Sequence, residues 1–304
     1  MIGKALVWSR LLNPAMITPS DALRMVQVVH NLHEETARLM NEYGHEPLAH
    51  SRADRELKSF PRRESVMTAY SQGTSLIEVV ADHAMAFTRA VSEPVLTVAP
   101  WTCIRSLIEA SALACWLLDP QIDVRMRIQR SLAFRYEGLS QQLSYVRVME
   151  GKGSLYVKKV IARIEDVERM AIGFGFGKVV NRKEERTGIG QQMPGTTEIV
   201  RNVLNEEANY RLLSAVVHAH HWVLQQLSFR LSGEPGKILE EGEDPDKRHY
   251  LEKNIEPLAV AYLCALAGKY FGKPLKYKFI LFGWNVRRLD DILDVAFSKI
   301  GIQR

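Results

Sequence analysis

At 304 residues, with 46% hydrophobic and 25% charged side chains, the chain has the make-up of an ordinary globular protein able to bury a sizeable core. A net charge of +5 and a pI near 9.0 permit a polyanionic partner without demanding one. The basic residues come as pairs (Arg62-Arg63, Lys158-Lys159, Arg182-Lys183, Arg287-Arg288) rather than blocks, and no window approaches about 18 uninterrupted apolar residues, which argues against a membrane span.

The opening MIGKALVWSR has neither a continuous apolar run nor a small-residue cleavage site, so no signal peptide is expected, and residues 1–17 read as a lead-in. Thr18-Pro19-Ser20-Asp21 combines a hydroxyl cap, a proline and an early acid, and so predicts a helix start. That helix should run to about Tyr43 and stop at Gly44, with Leu23, Val26, Val29, Leu32, Leu39 and Met40 inward. Residues 44–65 are polar and proline-punctuated and read as a connection that holds at most a short helical turn. Helical periodicity resumes over 66–92, ended by Pro94, and again over 98–118, closed by Asp119-Pro120. A long amphipathic helix over 121–150 should carry Arg125, Arg127, Arg130 and Arg135 on its wet sides and end at Gly151.

A helix over 154–172 runs into the glycine-rich, charged segment 173–195, which reads as a loop or flap whose phenylalanines fold onto the core. Its GFGFGK follows a helix and lacks a Gly-Lys-Ser/Thr ending, so it is no nucleotide loop. Pro194-Gly195-Thr196-Thr197 starts a short helix, followed by a helix over 209–228; residues 232–250 form an acidic excursion. Helices over about 255–271 and 284–300 finish the chain, with Leu275–Phe282 alternating weakly as a strand without an evident partner. Strand signals are nearly absent, which predicts an all-α multi-helix bundle in one domain, its core about 66–230, with the N-terminal helix 18–43 and the C-terminal helices packed on it.

The loudest chemical signal is NYRLLSAVVHAHHWVLQQLS at 209–228, where Arg211, Ser214, His218, His220 and His221 interrupt an apolar helix. Seven residues are almost two turns, so Arg211 and His218 differ by roughly 20° around the axis, with Ser214 between them. In a cleft, the arginine could hold a phosphate while the histidine moves a proton, with Ser214 or Tyr210 as hydrogen-bonding helpers. The bland alternative pairs the arginine with a glutamate and the histidine with a carbonyl. Arg105 and Glu109, one turn apart in a very apolar stretch, can pair with each other or reach across to Arg211 or His218 and fix helix register. Asp82-His83, with Glu78 a turn earlier, makes a further polar set on an apolar helix and, with His30, His33 and Glu34, tempts a di-metal reading. Carboxylate-bridged metal bundles need a Glu-x-x-His pair on each of two helices, which the chain does not offer, so no metal and no cofactor are expected. Cys103, Cys115 and Cys264 are odd in number and lie in apolar helical contexts, as buried free thiols of a reducing, cytoplasmic compartment would.

Asp82-His83, RSLIEASALACWLLDP at 105–120, PGTTEIV at 194–200 and YRLLSAVVHAHH at 210–221 together resemble a group of uncharacterised bacterial all-helical proteins, over most of residues 75–225. More loosely, Arg211 and His218 with six residues between them resemble the Arg-x(4–6)-His signature of HEPN domains, although Leu212 stands where those domains usually carry a polar residue. The HEPN resemblance implies a four-helix core, Arg211 and His218 as catalytic residues of a metal-independent endoribonuclease, a homodimer that brings two such pairs together, RNA as substrate, and a role in phage defence or a toxin–antitoxin pair. The alternative is a non-catalytic helical interaction or small-ligand-binding module, in which Arg105, Glu109, Arg211 and His218 form a structural polar network.

Overall fold

A computed structural model of the chain describes residues 17–92, 95–180, 186–226, 230–231 and 253–301. The lead-in before residue 17, the Pro94 stop, the end of the 209–228 helix and the 232–250 excursion lie outside those residues. The fold is an all-α multi-helix bundle, and no described helix is long and apolar enough to cross a membrane.

Helix α1 (Pro19–Tyr43) begins as its first residues dictate. The Thr18 hydroxyl accepts from the Asp21 amide at 3.1 Å, and the Asp21 carboxylate accepts from the Thr18 amide at 3.0 Å. Leu23 faces solvent, however, because the inner stripe runs through Ala22, Val26, Val29 and Leu32. The 44–65 connection holds a full helix, α2 (Arg52–Ser59), capped by the Ser51 hydroxyl. Then come α3 (Arg63–Ala90), α4 (Ala99–Leu117), α5 (Val124–Glu150) and α6 (Leu155–Gly173), with Asp123 and Ser154 capping the last two. α3 and α4 pack closely, and Gly73 makes this possible: a Cβ there would lie 2.5 Å from Cγ of buried Leu118.

The glycine-rich segment is not a plain loop. It contains an antiparallel meander of β1 (Lys178–Val180), β2 (Arg186–Ile189) and β3 (Gln191–Gln192), laid against α5. Phe176 is buried beside it, and Phe174 packs on Phe60. After α7 (Thr196–Ile199) and a π-helical turn (Val200–Leu204) comes α8 (Glu207–Val217). The expected helix over 209–228 is broken at His218–His220, where Ala219 takes a left-handed φ of 52°, before α9 (His221–Gln226). A two-stranded ribbon, β4 (Arg230–Leu231) with β5 (Lys253–Asn254), precedes α10 (Pro257–Phe282) and α11 (Val286–Ile300).

α10 is continuous through the stretch read as a strand. Pro274 supplies no amide for the Tyr270 carbonyl one turn back, which would ordinarily interrupt a helix. The buried Ser111 hydroxyl on α4 donates to that carbonyl at 2.8 Å instead, so the break is mended from a neighbouring helix. α10 is among the most buried helices and touches α1, α3, α4 and α11, so the buried centre extends well beyond residues 66–230.

Three charged side chains are buried among the described residues: Glu56, Arg127 and Lys278. Arg127 is fully enclosed rather than on a wet face, because its partners come from other elements. It donates to Glu56 Oε2 (3.2 Å) and to the Leu117 (2.8 Å) and Asp119 (3.2 Å) carbonyls, and its guanidinium covers the Tyr70 ring. Glu56 also accepts from Arg52 (2.8 Å) and from the Tyr70 hydroxyl (2.7 Å), while Arg52 bonds the Pro120 and Ile122 carbonyls. One carboxylate thus ties α2 to α3, α5 and the α4–α5 turn. Lys278 has no such arrangement.

Candidate functional site

The residues singled out from the sequence divide into two groups. Arg105, Glu109 and Tyr210 come together between α4 and α8. Tyr210 Oη donates to Glu109 Oε1 at 2.6 Å, Arg105 Nη2 lies 2.9 Å from the same carboxylate oxygen and 3.3 Å from Tyr210 Oη, and the guanidinium sits over the tyrosine ring. Burial first, and then the Glu109 carboxylate, push the Tyr210 hydroxyl above its ordinary pKa, so it stays a donor. This set joins two helices, with Arg105 Nε buried and without a hydrogen-bond partner among the described residues. Tyr210 therefore belongs with Arg105 and Glu109, not with Arg211 and His218 as a helper.

Arg211 and His218 lie outside it. Both are exposed, Arg211 on α8 and His218 as its C-terminal cap, while Ser214 between them is half-buried. Arg211 contacts Glu207 at 2.7 Å, and Arg201 grips the same carboxylate from the π-turn. These two guanidinium contacts hold the Glu207 carboxyl well below its usual range, at about 2. The His218 ring lies 6.3 Å from that of His220. Neither Arg211 nor His218 enters the expected buried network, because the face of α8 that packs inward carries Tyr210, Leu213, Ala215 and Val216. Asp82 is exposed and His83 half-buried, and among the described residues no hydrogen bond or ion pair links them to the Arg105 set. No three His, Cys, Asp or Glu side chains among the described residues group closely enough to hold a metal ion.

These exposures set opposite expectations for two substitutions. Glu109→Ala strands the Tyr210 hydroxyl and the Arg105 guanidinium and should cost about 1–3 kcal/mol in urea unfolding. Arg211→Ala removes an exposed pair and should change stability by less than about 0.5 kcal/mol.

A different constellation lines a chemically mixed cleft. Between α1, α3, α10 and the α1–α2 connection lie two adjoining cavities of about 340 and 270 Å³, sharing His45 and Glu78 as common wall. The first is lined by Ser71, Thr74, Ser75, Met67, Phe282 and Lys278, among others; the second by His33, Thr36, Met40, Ile77 and Phe271. A larger, more open trough of about 570 Å³ runs along the outer side of α3, with Glu64 the one ionisable residue in its wall, and meets the cleft at Met67, Ser71 and Ser75.

Lys278 stands out here. It is 1% exposed, and among the described residues it has no hydrogen bond and no carboxylate within ion-pair distance. Its ammonium instead rests over the faces of Phe282 (5.3 Å) and Trp284 (5.0 Å), rings fixed by further edge and stacking contacts with Tyr43, Tyr70 and Phe279. Burial lowers its pKa to about 8, opposed by the field of exposed Glu78. His33 is similarly unmet: its Nδ1 is buried without a partner, and burial lowers its pKa. A polar cavity wall that leaves donors unused is suited to bind something that uses them.

The sequence reading missed Lys278 because it lay in the segment taken for a strand. The available signal is a lone lysine inside YKFILF, a run apolar enough to bury it. No protein-family model, curated protein or solved structure matches the chain at a significant level.

Proposed function

We propose that the chain is a helical small-ligand-binding protein whose ligand lies in the cleft between α1, α3 and α10, with Arg105, Glu109 and Tyr210 as a structural clasp. The observation that carries this reading is Lys278, a buried cation left without a counter-ion in a cavity wall. Burying an unpaired charge is costly, and a site that binds a partner for that charge explains why a lysine stands there. The unpaired thiols Cys103, Cys115 and Cys264 fit a reducing, cytoplasmic setting. The test is a thermal-shift screen of metabolite-sized compounds against the wild type and Thr74→Trp, which fills the space beside Lys278. Compounds should stabilise the wild type alone; if none distinguishes the two proteins, the reading fails.

A second reading, an RNA-binding or RNA-cleaving protein acting as a homodimer, has one observation in its favour: Arg211 and His218 are both open to solvent on one helix. It predicts EDTA-resistant RNA cleavage that His218→Ala abolishes while the circular-dichroism spectrum stays unchanged. Cleavage that survives His218→Ala removes the catalytic version, and a wild type that neither cleaves nor binds RNA removes the reading.

A further inference from the structure

We propose that the occupant of the cleft is a small organic anion, its charged head seated on Lys278 and the Ser71, Thr74 and Ser75 hydroxyls, its body against Pro47, Leu57, Met67 and Phe282. This rests on the reading of the cleft as a ligand site and adds the charge and shape of what enters it.

The first support is the inventory of the wall. Helical serines and threonines commonly return their hydroxyl proton to a carbonyl one turn back, and in this protein Thr36, Thr68, Ser140 and Ser144 do so. Ser71, Thr74 and Ser75 do not: among the described residues their hydroxyls make no hydrogen bond. The hydroxyls at 71, 74 and 75, within one turn of α3, thus line the same cavity as the ammonium, with Thr74 half-buried and Ser71 and Ser75 exposed where the cavity meets the outer trough. Neutral ligands would engage the hydroxyls but leave the lysine charge unmatched; a carboxylate or phosphate engages both.

The second support is what surrounds Lys278. Phe282 and Trp284 hold the ammonium by their faces, which favours the charged form but supplies no acceptor for its protons. Two carboxylates, Glu46 and Glu78, also belong to the cavity wall, but both are exposed and beyond ion-pair distance of Lys278, so solvent screens their fields and the ammonium is left without a direct counter-ion. The apolar residues of the same cavity provide contact for a short hydrocarbon or aromatic body.

The experiment compares two probes of one shape, octanoate and 1-octanol, by titration calorimetry on the whole protein at pH 7. Octanoate should bind the wild type more tightly by about tenfold or more, equivalent to about 1.4 kcal/mol. Lys278→Met should remove that preference while 1-octanol binding is retained. Equal binding of the two probes by the wild type would overturn the anion assignment and leave the cleft standing as a neutral ligand site. Binding of neither would overturn both. A preference that persists in Lys278→Met would place the anion elsewhere and overturn the role of the lysine.

Discussion

Glu56→Ala should lower stability by about 3–5 kcal/mol, the loss expected when one member of a buried ion pair is removed and its partner is left charged and enclosed. The partner is Arg127, with no exposed surface, and removal of the carboxylate also takes the acceptor from Arg52 Nε and from the Tyr70 hydroxyl. Against a total of about 5–15 kcal/mol for a typical domain, such a loss places the variant near the threshold of folding. Urea unfolding should show a lower midpoint with an unchanged slope. The decisive comparison is the double variant Glu56→Leu, Arg127→Met. Replacing both charges by apolar groups removes the stranded ion, so the double variant should be more stable than Glu56→Ala alone. If the Glu56→Leu and Arg127→Met losses simply add, the two residues are not a coupled pair and the carboxylate is not the fastening point of α2, α3 and α5.

This pair also shows where the sequence stops being informative. Helix starts were legible because their determinants are local: Thr18 and Asp21 cap each other within one turn, and Gly44 and Gly151 take the positive φ that ends their helices. Periodicity places Arg127 on a wet face because an arginine on an amphipathic helix is ordinarily solvated. Its burial depends on a glutamate in a segment whose prolines and charges suggested a connection, and nothing in the spacing of residues 56 and 127 joins them. The same limit applies to Pro274, which reads as a break until Ser111 of another helix is seen to satisfy the carbonyl the proline leaves open. The Arg105–Glu109 pair was legible from its i, i+4 spacing, and Tyr210 was noticed for its proximity to Arg211, but on a helix the adjacent position points about 100° away. That angle sends Tyr210 inward to Glu109 and Arg211 outward to Glu207. Lys278 was invisible for the opposite reason: its significance is the lack of a partner, which only the arrangement of neighbouring helices defines.

Lys278→Met should make the protein more stable at pH 7 and less able to bind an anion. The folded protein holds the lysine at about 8, below its ordinary 10.5, so folding disfavours the charged form. That lowering corresponds to about 3 kcal/mol against the charged form, all of its contacts included, so methionine should gain stability of at most that order. The sign with pH follows from proton counting. Below pH 8 the lysine carries its proton in both folded and unfolded chains, and the penalty is constant; between about 8 and 10.5 it holds more proton unfolded than folded, so its cost to the wild type falls as pH rises. The advantage of Lys278→Met should therefore be full at pH 7 and shrink by pH 9.5. The other ionisable groups facing this lysine are Glu78 and Tyr70 from α3 and His45 and Glu46 from the α1–α2 connection, with Glu56 and Arg127 paired behind Tyr70. Burial holds the Tyr70 hydroxyl well above the ordinary tyrosine value and raises the Cys115 and Cys264 thiols, in both proteins alike, so the difference between the two proteins, not the slope of either, reports the lysine. Melting curves of both proteins from pH 7 to 9.5 check this. A methionine variant less stable than the wild type at pH 7, or a difference that does not change with pH, would show that the lysine is already satisfied within the fold. A stabilised variant that has lost octanoate binding would instead mark Lys278 as a position where stability is given up for recognition, as binding sites commonly require.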